Sequence, residues 1–98
     1  MPKAYIVTTY KSIKNPDKLA AYAKLAGPAM IAAGGTFLVR GVPVQTYENG
    51  QKQRTVVIEF ASMSQALAAY TSPGYQEALR ALGEGNVDRD MRVVEGAE

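Results

Sequence analysis

The chain has 98 residues, of which 47% are hydrophobic and 20% charged, and its eleven Lys and Arg against nine Asp and Glu leave a formal charge of +2. This length and composition predict a single globular domain over residues 1–98 and exclude a disordered chain or a second domain. The chain has no Cys and no His, which excludes disulfides, thiolate nucleophiles, imidazole bases and the usual zinc, copper and iron ligands.

The first predicted elements are a strand and a helix. Residues 4–10 are rich in β-branched and aromatic side chains, which favour a strand. Asn15 followed by Pro16 is typical of a helix start. The helix has one apolar face with spacings of three and four, which comprises Leu19, Tyr22, Ala23, Ala26 and Met30. Gly27-Pro28 interrupts it and predicts a kink or two short helices, because an internal proline removes a hydrogen bond and clashes with the preceding turn.

Two further strands are predicted on either side of a tight turn. Residues 36–47 and 54–61 are both β-rich and flank Asn49-Gly50, the strongest short-range hairpin signal. Pro43 lies within the first of these strands, where it has no N–H to donate to a neighbour. That strand is therefore expected at the sheet edge or with a bulge.

Helix starts recur in the last third of the chain. Ser62 with Gln65 forms a possible capping box, and Ser72-Pro73 repeats the pattern of a cap followed by proline. Two short helices are therefore predicted in succession. In the second helix the apolar side chains at i, i+4 and i+7 are Tyr75, Leu79 and Leu82.

A last strand over residues 87–95 gives the order β-α-β-β-α-β. This order predicts an α+β, ferredoxin-like fold, with a four-stranded antiparallel sheet and its helices on one face. The right-handed crossover rule places strands one and three in the middle of the sheet, which leaves strand two at an edge.

A regular hairpin around Asn49-Gly50 would pair Arg40 with Glu59. Their face would otherwise be mostly apolar, with Leu38, Val42, Val44, Thr55, Val57 and Ala61. The opposite face would be uncharged and would pack beneath the helices, with Val39, Gly41, Pro43, Val56, Ile58 and Phe60. Two apolar faces imply a cover on the second one, and a homodimer is the simplest cover. A bulge near Pro43 would shift the register by one residue and exchange the faces.

Four segments carry a resemblance to a known family: PKAY at 2–5, GGTFLVRG at 34–41, VVIEF at 56–60 and YTSPGYQ at 70–76. Together they resemble the bacterial domain-of-unknown-function 1330 family of the dimeric α/β-barrel superfamily. The resemblance implies the ferredoxin-like fold and a dimer, and it implies no activity. The superfamily includes haem-degrading and quinol-forming monooxygenases and muconolactone isomerases, which use a cavity between sheet and helices. The histidines on which several of them depend have no counterpart here.

Glu59 and Arg40 are the strongest candidate site residues. A carboxylate on an apolar face can act as a general base, and a guanidinium can bind an anionic or carbonyl ligand. The alternative is a structural salt bridge that closes a cavity or the dimer. Tyr22, Tyr70 and Tyr75 could add hydroxyl donors to such a pocket, or could be core residues with hydroxyls at its rim.

Asp88 and Asp90 are too few oxygen ligands for a hard-metal site and are typical of a solvated strand start. We expect neither metal nor cofactor. The dispersed Lys and Arg predict no nucleic-acid partner. The lack of a signal peptide or long apolar run predicts no membrane partner and a cytoplasmic location.

Two hypotheses remain for the function. One is a small-molecule-binding protein or cofactor-independent enzyme with a pocket between sheet and helices, and the other is a non-catalytic dimeric module with an architectural Arg40–Glu59 pair.

Overall fold

A computed structural model describes residues 2–97, which form four strands and three helices. Their bounds in chain order are β1 (Ala4–Ile13), α1 (Pro16–Ala32), β2 (Thr36–Gly41), β3 (Thr55–Phe60), α2 (Met63–Thr71), α3 (Pro73–Leu82) and β4 (Val87–Glu95). The order β-α-β-β-α-α-β confirms the ferredoxin-like α+β prediction, including the two short helices before the last strand.

The four strands form one antiparallel sheet in the order β2-β3-β1-β4. Strands β1 and β3 lie in the middle and β2 at an edge, as the crossover rule predicted. All three helices pack on one face, which we call the inner face, and we call the opposite side the outer face. The hydrophobic core lies between the helices and the inner face and includes Ile6, Ile58, Phe60, Met30 and Tyr75.

The helix starts agree with the predicted caps. The side chain of Asn15 accepts a hydrogen bond from the Lys18 N–H at 3.2 Å. Ser62 Oγ accepts one from the Gln65 N–H at 3.2 Å, and Ser72 Oγ accepts one from the Tyr75 N–H at 3.4 Å. Each cap therefore satisfies a backbone donor that the first helical turn leaves unpaired.

Pro28 does not divide α1, which is one continuous α-helix from Pro16 to Ala32. Of the two predicted alternatives, a kink or two short helices, the second was wrong. Pro28 and Lys24 are both exposed, so the Lys24 carbonyl, which lacks the usual N–H donor four residues later, faces water. A solvated carbonyl lowers the cost of the missing hydrogen bond.

The predicted tight hairpin is also wrong, because β2 and β3 are joined by a 42–54 loop. Strand β2 ends at Gly41, so Pro43 lies in the loop rather than within a strand. The Gly50 N–H donates to the Tyr47 carbonyl at 3.0 Å, with Glu48 at a φ of 56°. The loop thus has its own turn, and the strand pairing is not set by a two-residue turn at Asn49-Gly50.

The register of β2 on β3 shows that the predicted Arg40–Glu59 pair was wrong. Arg40 pairs with Val56, whereas Glu59 pairs with Thr36. A register shift between Phe37 and Val39 marks a bulge at Leu38. Because the bulge adds one residue, Arg40 shares the inner face with Val56, as the alternative of a shifted register allowed.

The predicted core residues of β3, Val56, Ile58 and Phe60, are buried. On β2 the faces are exchanged, since Val39 and Gly41 pair with the outer residues Val57 and Thr55.

The outer face of the sheet is not covered by any described element. One row across it consists of Val39, Val57, Val7 and Arg92, and the next of Thr36, Glu59, Tyr5 and Val94. Val39 and Val94 are each 47% exposed. The outer face is therefore mixed, with an apolar row of Val39, Val57 and Val7 beside polar and charged residues, and it is less apolar than the sequence predicted. Among residues 2–97, no helix combines the length and apolar character needed to cross a membrane.

Candidate functional site

A pocket lies between helix α1 and the inner face of the sheet, with a cavity volume of about 40 Å³. Its polar lining side chains are Thr8, Tyr10, Tyr22, Arg40, Arg54, Tyr75 and Arg89. Apolar side chains, among them Met30, Phe37 and Met91, complete the wall. The pocket thus combines guanidinium and phenol groups with an apolar surround, which suits recognition of a small polar ligand.

Two of the arginines flank one tyrosine on the sheet. The Tyr10 N–H donates to the Arg54 carbonyl at 3.0 Å, which continues the β1–β3 pairing by one residue. On the other side Tyr10 pairs with Arg89 of β4. Antiparallel pairing places the side chains of directly opposite residues on the same face, and all three residues line the pocket.

Arg89 is surrounded by phenol groups rather than by carboxylates. Its Nη1 donates to the Tyr10 hydroxyl at 3.0 Å and its Nη2 to the Tyr75 hydroxyl at 3.5 Å, and its guanidinium carbon lies 4.8 Å from the centre of the Tyr22 ring. Burial opposes the charge, but the neighbouring Tyr22 and Tyr75 hydroxyls raise the pKa of Arg89 above its usual value. Arg89 is therefore a fixed, partly desolvated cation held by weak partners.

Tyr22 and Tyr75 form a short hydroxyl pair at the side of the pocket. Their oxygens are 2.6 Å apart and their rings meet edge to face, with centroids at 5.9 Å. Burial, followed by the nearby Tyr22 hydroxyl, raises the pKa of Tyr75 well above its usual value. Tyr75 is completely buried, so it stays protonated and can support Tyr22, which is half-buried at the pocket wall.

Tyr70 is the predicted tyrosine that does not line the pocket. Its ring lies 5.3 Å from that of Tyr75, and it is 40% exposed. It packs behind the hydroxyl pair and contributes apolar contact.

Arg40 and Arg54 both line the pocket, and neither is in one of the salt bridges found among residues 2–97. Arg40 pairs with Val56. Arg54 lies two residues before Val56 in the chain, so the backbones of the two arginines are diagonal neighbours on the inner face. The Arg40 guanidinium carbon lies 4.6 Å from the centre of the Phe37 ring. The Nε of Arg54 is buried and has no hydrogen-bond partner. Over residues 2–97, the lining contains no Asp or Glu.

Glu59 lies on the outer face, opposite to the pocket. Its Oε2 accepts a hydrogen bond from the Tyr5 hydroxyl at 3.2 Å and lies 3.5 Å from Lys3 Nζ. The structure therefore brings together Arg40, Tyr22 and Tyr75 of the predicted site residues, and separates Glu59 from them by the thickness of the sheet.

Tyr10, Arg54 and Arg89 are pocket residues that the sequence reasoning missed. Arg89 alternates in phase with Met91 along β4, and this period of two was a signal that its side chain faces inward. For Arg54, which precedes β3, the signal was weaker, because its position depends on a pairing that extends one residue beyond the strand.

Asp90 is paired with a cation on the outer face. Arg92 donates to both carboxylate oxygens at 3.0 Å, and these hydrogen bonds lower the pKa of Asp90. Within the described part of the chain, no three carboxylates or other metal-binding side chains cluster in a way that could hold a metal ion.

Comparison with known proteins gives a family and a fold. The family DUF1330, described as a domain of unknown function, matches residues 3–97. No curated protein matches the sequence.

Three solved structures illustrate the likeness in fold. A protein of unknown function from Rhodopseudomonas palustris is 14% identical, with a TM-score of 0.75 over 99% of this chain and 84% of that one. A dimeric ferredoxin-like protein of unknown function from Thermobifida fusca is 15% identical, with a TM-score of 0.64 over 96% and 91% of the two chains. SnoaB, a cofactor-independent oxygenase from Streptomyces nogalater, is 12% identical, with a TM-score of 0.66 over 100% and 96%.

Proposed function

This chain belongs to the DUF1330 family, whose function is unknown, and we propose that it is a homodimeric protein that binds a small organic anion between α1 and the sheet. The observation that carries the proposal is the charge of the pocket. Arg40, Arg54 and Arg89 all line it, and in the 2–97 region the same lining includes no carboxylate.

Electrostatics favours an anionic ligand in such a pocket. A guanidinium stays charged in proteins, so burial cannot be relieved by loss of a proton. A partly buried charge without a partner is costly, and the Nε of Arg54 has no hydrogen-bond partner. A carboxylate is the geometric match for a guanidinium, since it accepts two parallel N–H donors.

The tyrosine pair supports the same ligand class. Tyr22 lines the pocket and shares a short hydrogen bond with Tyr75. Either hydroxyl of the pair can be the donor, and Met91 Sδ is a second acceptor for Tyr75 at 3.6 Å. When Tyr75 donates to Tyr22, the Tyr22 hydroxyl proton is free to point into the pocket. It can then donate to a carboxylate or carbonyl oxygen beside the arginines.

The outer face of the sheet supports the homodimer. Its middle row contains Val39, Val57 and Val7, and Val39 is 47% exposed. A second copy would cover this face, because an antiparallel sheet with apolar side chains on both sides needs cover on both. The Thermobifida fusca protein of similar fold is described as dimeric.

The test is a ligand screen by thermal shift at constant ionic strength, with small carboxylates, inorganic phosphate and neutral analogues of the same size. We expect carboxylates to raise the melting temperature and their amides to have no effect. Arg40→Ala should remove the response. Arg80→Ala is the matched control, since Arg80 is exposed on α3 and lies outside the pocket.

An equal response to acids and amides would contradict the proposal, as would a response that Arg40→Ala leaves intact.

A non-catalytic dimeric module is the second candidate, and the position of Glu59 favours it. Glu59 contacts Tyr5 and Lys3 on the outer face, where it can contribute to a contact between two copies. If the protein serves only as a dimeric structural module, Glu59→Gln should weaken dimerisation and no small molecule should shift the melting temperature.

A further inference from the structure

We infer that the ligand of this pocket is a monocarboxylate of one or two carbon atoms, the size of formate or acetate, and that the guanidinium of Arg89 is its anchor. This inference rests on the proposed function and specifies the size and charge of its ligand. It follows from the volume of the cavity, from the fixed position of Arg89 and from the side chains beside it.

The volume of the cavity limits the ligand to a few atoms. The cavity measures about 40 Å³, and one water molecule needs about 10–15 Å³ of such volume. Roughly three to four non-hydrogen atoms therefore fit, which is the number in formate or acetate. Propionate has one carbon atom more than acetate and already exceeds this limit.

Arg89 has a guanidinium that is oriented before any ligand binds. Its Nη1 and Nη2 donate to the Tyr10 and Tyr75 hydroxyls at 3.0 and 3.5 Å, and its guanidinium carbon lies 4.8 Å from the centre of the Tyr22 ring. A guanidinium has five N–H groups, so these two hydrogen bonds leave donors for an anion. A carboxylate is the planar acceptor that matches such donors, and a fixed donor group lowers the entropic cost of binding it.

The other two arginines favour a ligand that accepts hydrogen bonds and carries negative charge. The Arg40 guanidinium carbon lies 4.6 Å from the centre of the Phe37 ring, and Arg40 adds positive charge to the pocket wall. The Nε of Arg54 is buried without a hydrogen-bond partner. An ionised carboxylate only accepts hydrogen bonds, so it suits a lining with unused N–H groups. One negative charge is sufficient to neutralise Arg89.

The floor beside Arg89 suits a carboxylate with a very short apolar tail. Thr8 pairs with Met91 and Tyr10 with Arg89, which makes Thr8 a diagonal neighbour of Arg89 on the inner face. Thr8 is 4% exposed and lines the pocket, so its hydroxyl is a buried polar group that a carboxylate oxygen can satisfy. Met91 also lines the pocket and limits the length of the tail.

The test measures dissociation constants for formate, acetate, propionate, butyrate, nitrate and acetamide, by NMR titration of the full-length protein at pH 8 and fixed ionic strength. We expect formate or acetate to bind at least about ten-fold more tightly than propionate or butyrate, because each misplaced methylene in a closed pocket costs about that factor. Formate or acetate should also bind more tightly than nitrate, a planar inorganic anion of similar size. The neutral acetamide should not bind.

Two variants test the anchor and the wall, with circular dichroism to verify that each is folded. Arg89→Lys keeps the positive charge but loses the planar set of donors, and it should weaken acetate binding about ten-fold. Arg80→Lys is the matched control, since Arg80 is exposed on α3, and it should leave the affinity unchanged. Met91→Ala enlarges the cavity and should improve the binding of propionate relative to acetate.

The outcomes distinguish this inference from the proposed function. If propionate and butyrate bind as tightly as acetate, and their binding depends on Arg40, the size inference is overturned and the anion-binding function stands. Acetate binding that Arg89→Lys leaves unchanged would overturn Arg89 as the anchor, and tighter binding of nitrate would overturn the carboxylate. If none of these anions binds the unaltered protein, both the inference and the proposed function are overturned.

Discussion

Tyr75 couples the pocket to the stability of the fold. Its side chain is completely buried, and its hydroxyl lies 2.6 Å from that of Tyr22. Burial and the Tyr22 hydroxyl raise its pKa, whereas a tyrosine in the unfolded chain ionises near pH 10. The folded state therefore retains a proton that the unfolded state releases at alkaline pH.

The sign of the pH dependence follows from this raised pKa. The contribution of Tyr75 to stability is complete below about pH 10 and falls above it, by about 1.4 kcal/mol per pH unit, as the unfolded chain loses its proton. Tyr75→Phe should be less stable than the unaltered protein at pH 8, by about 1 kcal/mol for the lost hydrogen bond. The difference should shrink or reverse at pH 11 in urea denaturation experiments.

Tyr47→Phe is the matched control for this prediction, since Tyr47 is 79% exposed in the 42–54 loop. Its stability difference from the unaltered protein should be small. A Tyr75→Phe difference that stays constant from pH 8 to 11 would contradict the prediction.

Helix α1 contains a site at which the fold can be made more stable. Pro28 removes one hydrogen bond from the continuous helix, and an internal proline costs up to about 3 kcal/mol relative to alanine. Pro28→Ala should restore the bond to the Lys24 carbonyl and raise the free energy of unfolding by about 1–3 kcal/mol. The urea midpoint measures the gain.

Pro43→Ala provides the comparison, because Pro43 lies in the 42–54 loop and interrupts no helix. It should give no comparable gain. Equal or lower stability of Pro28→Ala would contradict the prediction and show that Pro28 does not destabilise α1.

Strand β2 determines which face carries Arg40. Phe37 and Arg40 both face inward, with the extra residue Leu38 and the outward Val39 between them. Deletion of Leu38 leaves a regular alternation in which Phe37 and Arg40 keep their face. We expect that variant to retain the anion-induced rise in melting temperature.

Insertion of one alanine between Val39 and Arg40 is the counterpart. The insertion turns Arg40 to the outer face, and the 42–54 loop can absorb the added length at little cost. The response to anions should disappear while the circular dichroism spectrum remains that of the fold. Retention of the response after insertion would show that Arg40 is not an anchor.

Local signals in the sequence were sufficient for most of the fold. Asn15, Ser62 and Ser72 cap the helices through short-range hydrogen bonds, and such contacts depend on neighbouring residues alone. The element order then limited the topology to a few arrangements. The pocket could not be predicted from local signals alone. The inward position of Arg40 depends on a bulge at Leu38, and no sequence signal specifies that bulge. The pairing predicted from a tight turn at Asn49-Gly50 was wrong, because a longer loop over residues 42–54 joins the two strands.

The molecule as a whole is flat, with Cα dimensions of 37 × 34 × 16 Å. Helices cover one side of the sheet and leave the row Val39, Val57 and Val7 on the other. A lysine in that row would place a charge within the proposed contact between copies, which is strongly unfavourable without a partner. Val39→Lys should therefore be a monomer where the unaltered protein is a dimer.

Light scattering after size exclusion measures the mass. Leu67→Lys is the matched control, because Leu67 is 52% exposed on α2, on the helical side, and it should remain dimeric. A dimeric Val39→Lys, or a monomeric unaltered protein, would contradict the use of the outer face.

The charged groups of the pocket are arginines, and its other ionisable groups are phenols. An arginine guanidinium keeps its proton in proteins, so the positive charge of the three pocket arginines is constant over the range a cell experiences. Any acid sensitivity of binding must then come from the ligand, as its own carboxyl groups gain or lose protons. The protein then supplies a constant countercharge, and occupancy of the proposed anion pocket would follow the concentration of the ionised ligand, which falls as the surroundings become more acidic.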